Sequence, residues 1–84
     1  MRMPGMATAE EMNQLAEARG PAFDRLFLEL MIRHHEGALV IVKELFATRG
    51  AAQEPETFAF ASDVVADQRS EIQRMERMLK ELEP

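Results

Sequence analysis

Met31, His34 and His35 place one thioether and two adjacent imidazoles midway along an otherwise apolar helical stretch. The run Phe23, Phe27, Leu30, His34, Gly37 or Ala38, Ile41, Leu45 steps by three and four residues, so it predicts a single helical seam facing the core or a partner helix. His35 falls about a third of a turn away, in line with Leu28, Met31, Leu39 and Val42, so both rings border apolar surface. Met31 stands three residues before His34 and four before His35, spacings at which side chains are neighbours on a helix. Further along the chain, Gln68, Glu71 and Met75 have the same helical spacing and are expected to face that region. Imidazole with thioether is a donor set for copper, above all in its reduced state, and is wrong for magnesium or calcium. Glu71 would either ligate directly or orient a histidine by accepting its other N–H. The plain packing alternative has His34 hydrogen-bonded to Gln68 as a register-fixing polar inlay, with Met31 and Met75 filling space.

A second group, Met1, Met3 and Met6, surrounds the turn-forming Pro4-Gly5 pair, and flexible thioethers there would suit a soft-metal entry point. Other chemistry finds little support. A carboxylate-bridged di-iron centre wants Glu-x-x-His motifs, and no Glu stands three residues before His34 or His35. There is no glycine-rich phosphate loop, and Ser62 and Ser70 have no evident base, so the chain is expected not to be an enzyme.

These residues need helices to position them. Thr8 and Glu11 form a capping-box pattern that predicts a first helix over about Ala9 to Ala18, ended by Gly20. Pro21 suits a first turn and Asp24 complements the amino-terminal dipole of a second helix, which should stop at Arg49-Gly50. After a loop over Ala51 to Glu54, Pro55 restarts a helix to about Leu82, with Glu54 and Glu56 at its amino-terminal end. Its seam, Phe58, Ala61, Val65, Gln68, Ile72, Met75, Leu79, Leu82, is coiled-coil-like and broken by Gln68 alone. Two long helices joined by a short loop fold back antiparallel. Counting outward from the loop puts His34 and Gln68 at nearly the same height, where they are expected to meet.

The chain is thus expected to be all-α, a single helical domain of two long helices and a short leading one. Its 84 residues include no cysteine, which excludes disulfides and thiolate zinc sites. A domain this small buries only ~60–65% of its unfolded surface, so a metal or a partner chain is needed for firm stability. A second copy covering the spare apolar seam would complete a four-helix bundle, and a homodimer is expected. The net charge of −5 argues against nucleic acid, and no apolar run reaches the ~20 residues of a membrane span.

The string Phe23-Asp24-x-x-Phe27-x-x-x-Met31-Ile32-x-His34-His35-x-Gly37-Ala38, with Gln68-x-x-Glu71-Ile72-x-x-Met75 after it and Met3-Pro4-Gly5-Met6 before it, resembles the bacterial domain-of-unknown-function family 305. The resemblance implies a ferritin-like helical bundle in an exported or membrane-anchored setting. It also implies a metal-handling role, with copper the ion some members bind, for Met31, His34, His35 and Met75, with Met3 and Met6 as accessory thioethers. Longer members of that family carry two His-His halves, so this chain looks like the carboxy-terminal half or a fragment of a longer protein. The family often has a Met six residues after the second His; here that position is Ile41, one donor fewer. The rival expectation is a structural dimerisation module with no bound metal.

Overall fold

The computed structural model describes residues 3–48 and 54–83, and holds three helices: α1 (Ala9–Glu17), α2 (Gly20–Ala47) and α3 (Pro55–Glu81). No strand occurs among the described residues. Met1, the Arg49-Gly50 stop and the loop residues 51–53 lie outside them.

α1 starts where its capping box sets it. Thr8 Oγ1 accepts from the Glu11 N–H at 3.0 Å, and Glu11 Oε1 accepts from the Thr8 N–H at 2.8 Å. Gly20 does not end this helix: α1 stops at Glu17, and Gly20, at φ +59°, opens α2. Asp24 therefore falls beyond the first turn of α2, which carries no acidic residue. At its far end α2 is closed by Thr48, whose N–H donates to the Glu44 and Leu45 carbonyls and whose hydroxyl donates to Glu44. Glu54 caps α3, its carboxylate accepting from the Glu56 and Thr57 N–H groups; those two bonds favour the charged form and lower its pKa.

α2 and α3 run antiparallel. Arg25 Nη2 near the start of α2 donates to the Leu82 carbonyl at the end of α3, and the Phe46 and Phe58 rings pack 5.5 Å apart at the opposite end. Midway, His35 faces Glu71. This register corrects the expected meeting of His34 with Gln68. No hydrogen bond joins them, and Gln68 Oε1 is buried without a partner among the described residues.

α3 buries the seam its spacing predicts, with Ala61 and Ile72 buried and Val65, Met75 and Leu79 half-buried, while Phe58 stays exposed. α2 does not present the predicted seam to α3. The line that meets α3 is Leu28, Met31, His35, Leu39 and Val42. The other seam turns toward α1 and the amino-terminal segment, which cover Leu30 and Gly37 but leave Phe23, Phe27, His34, Ile41 and Leu45 exposed. Both stripes of α2 are continuous and apolar, so periodicity alone does not say which one the long partner takes.

The result is a slab. Its extents are 46 × 29 × 14 Å, one helix thick at the narrowest, with a radius of gyration of 15.6 Å where a globular chain of this length has about 12 Å. Even the best-covered core side chains, Ala61 and Leu28, keep 4% and 6% of their surface exposed, and no described side chain falls below 2%.

α1 is tied to α2 by one ion pair, in which Arg33 Nη1 and Nη2 donate to the two carboxylate oxygens of Glu11 at 2.7 and 2.5 Å. The Arg33 hydrogen bond, followed by the Thr8 backbone N–H, holds the Glu11 pKa down to about 2 from 4.5. A carboxyl depressed on folding adds stability above its unfolded pKa and loses it as pH falls through the folded one. The expected outcome is a thermal midpoint that falls between about pH 5 and pH 2 and, in Arg33→Met, loses part of that dependence. Circular dichroism melts across the range check it.

Candidate functional site

The two histidines, neighbours in sequence, enter different surroundings. Their ring centroids are 6.1 Å apart at 66°. His35 turns to α3, its side chain only 12% exposed, and both nitrogens are engaged. Nδ1–H donates to the Met31 carbonyl at 2.8 Å, which fixes that nitrogen as a donor, since a carbonyl only accepts. Nε2 lies 2.5 Å from Glu71 Oε2, within hydrogen-bond distance. Both ring nitrogens of His35 thus have a hydrogen-bond partner. The Glu71 carboxylate, itself largely exposed, is the partner of His35 Nε2.

His34 turns the other way and keeps its ring exposed. It lines a cleft of about 350 Å³ between α1 and α2 with Met6, Met12 and Met31, walled by Leu15, Phe27 and Leu30. Three thioethers and one imidazole therefore border one apolar recess, with no carboxylate on its wall. On the opposite side of Met31, a second shallow recess is lined by His35, Glu71, Met75 and Met78. Met31 borders both.

The sequence-predicted donors are thus split rather than gathered. Met31, His34 and Met6 share the α1–α2 cleft; His35, Glu71 and Met75 share the α2–α3 side. Gln68 sits half-buried in α3 with its carbonyl oxygen orphaned. Met3 is exposed and shares with Met6 a further recess lined also by Pro4, Gly5, Thr8, Glu11 and Arg33. Ile41 remains exposed on α2. Two methionines escape sequence reasoning: Met12, on α1 at the edge of the His34 cleft, and Met78, one turn beyond Met75. Met12 has a readable signal, being three residues before Leu15 on a nine-residue helix whose few apolar positions must all face the bundle. Among the described residues, no three His, Asp or Glu side chains converge as a cation site. A hard, oxygen-rich metal centre therefore has no support there.

No curated protein and no solved structure matches the chain. The family model for the domain of unknown function DUF305 does match, over residues 1–79. That span takes in the methionine turn, the His-His helix and nearly all of α3, and the chain belongs to the DUF305 family.

Proposed function

We propose that this domain is a non-catalytic binding module for a soft metal, with Cu(I) the preferred ion, and that it holds the ion in the cleft between α1 and α2. The observation that carries the reading is the lining of that cleft: Met6, Met12, Met31 and His34 around one recess. The donor chemistry fits, since thioether and imidazole suit reduced copper far better than Zn(II), Mg(II) or Ca(II). Those four residues would hold the ion, which would supply a cross-link between α1, α2 and the amino-terminal turn. His35 and Glu71 contribute by fixing α2 against α3, so that His34 is held at the cleft. Met75 and Met78 line the other recess with the engaged His35, a weaker offer of donors.

The proposed module works as a homodimer, a second copy covering the α2 face that carries Phe27, Ile41 and Leu45, and so forming a four-helix, ferritin-like bundle. The accessible surface supports this. It is 6603 Å², whereas a compact monomer of this size has about 5,100 Å², an excess of about 1,500 Å². A standard interface removes about 800 Å² from each partner. One copy of this slab therefore carries more spare surface than a stable dimer needs.

Two measurements test the reading. Titration of Cu(I) into the purified chain should saturate and raise the thermal midpoint, by roughly 10–20 °C when free ion reaches a hundred times Kd. His34→Ala and Met12→Leu should each weaken binding by at least about tenfold. No shift with Cu(I), or a shift untouched by both substitutions, would leave a structural dimerisation module in its place. Sedimentation velocity at tens of micromolar should give a dimer that Ile41→Glu with Leu45→Glu converts to monomer; a monomeric parent chain would contradict the second copy.

A further inference from the structure

The Pro4-Gly5 turn rests on α2 backbone against backbone. A Cβ added at Gly37 would lie 2.0 Å from the Pro4 carbonyl oxygen and 2.9 Å from Gly5 Cα. One added at Gly5 would lie 2.4 Å from the Arg33 carbonyl oxygen and 3.0 Å from Gly37 Cα. The obstructing atoms are all main-chain, so no side chain can swing aside to make room. Gly5 also holds φ +82°, which an L side chain rarely adopts. Gly37 lies buried in the interior of α2, where glycine is a poor helix former. The sequence thus accepts weaker helix propensity at the position where the turn makes its closest approach.

The turn leads directly into the donor-bearing segment. The Met6 N–H donates to the Met3 carbonyl at 3.4 Å, closing the turn; Thr8 then starts α1, and Glu11 clasps Arg33. Arg33, His34 and Gly37 lie within about one turn of α2, so the seat and the clasp fix the segment on either side of His34.

We infer that Gly5 and Gly37 are positioning residues whose glycine-to-glycine seat holds Met6 and Met12 at His34, so that the soft-donor cleft exists only while the turn is docked. The inference rests on the metal reading of that cleft. Without the seat, α2 alone offers Met31 and His34, two donors in place of four.

The test uses Gly37→Ala, Met6→Leu and the two combined. In metal-free protein, NMR cross-relaxation between the Met6 and Met12 methyls and the His34 ring should be lost in Gly37→Ala, while that between the Phe46 and Phe58 rings persists. Cu(I) affinity should fall at least tenfold in Gly37→Ala, sulfur scattering in the X-ray absorption spectrum should drop as in Met6→Leu, and the double variant should be no worse than Gly37→Ala alone. Gly5→Ala, outside every helix, repeats the experiment should Gly37→Ala fail to fold. Persistent methyl-to-ring contacts in the glycine variant, or losses that multiply in the double variant, overturn the seat. A parent chain that binds no Cu(I) overturns the metal reading and the seat's role in it, while the metal-free contacts still decide separately whether glycine holds the turn.

Discussion

α2 is apolar along two stripes, and among the described residues one other long helix, α3, is there to cover them. The rest of the molecule is shaped by that shortage. α3 takes the stripe of Leu28, His35, Leu39 and Val42 along its whole length. The other stripe is left to a nine-residue helix and a four-residue turn, which cover Leu30 and Gly37 and run out before Phe23 at one end and Leu45 at the other. Apolar surface is worth roughly 25 cal/mol per Å² when removed from water, so covering the exposed stretches with another layer of protein would be favourable. A slab 14 Å thick has no interior in which a side chain could be wholly removed from water.

The same geometry divides the histidine pair. Residues adjacent on a helix point about 100° apart, so when one stripe faces α3 the neighbouring one cannot. His35 goes to the well-packed side, where the Met31 carbonyl and Glu71 use both of its nitrogens and make it a clamp between the long helices. His34 goes to the thinly covered side, where it lines one cleft with Met6 of the turn and Met12 of α1. The two adjacent imidazoles thus sit in different surroundings, one bridging α2 and α3 and the other exposed at the α1–α2 cleft.

Much of this architecture is legible in the residues. Thr8 and Glu11 mark α1 through a local hydrogen-bond exchange that needs no tertiary partner, and Pro55 with Glu54 does the same for α3. The seam of α3 is readable because only one of its stripes is apolar, and Ala61 and Ile72 are buried as its spacing requires. α2 defeats the same reasoning because its two stripes score alike, so the face given to α3 is decided by packing rather than by pattern. The register between the long helices misleads for a related reason: counting from the loop fixes height but not rotation, and it is His35, not His34, that looks across to α3. Arg33 is illegible as a site component, and Met12 is marked only by its spacing from Leu15 on α1. Arg33 meets Glu11 across 22 residues of sequence, and Met12 borders the His34 cleft while staying 52% exposed.

The division of labour between the two histidines is the claim on which the rest turns, and long-range ¹⁵N–¹H correlation of the imidazole rings during a Cu(I) titration measures it directly. If the two rings divide their work in this way, a His34 ring nitrogen shifts on binding while both nitrogens of His35 keep their metal-free resonances. A His35 nitrogen that responds as strongly as His34, or in its place, would mean that the Glu71 clamp opens to admit the metal, and the division of labour would be refuted.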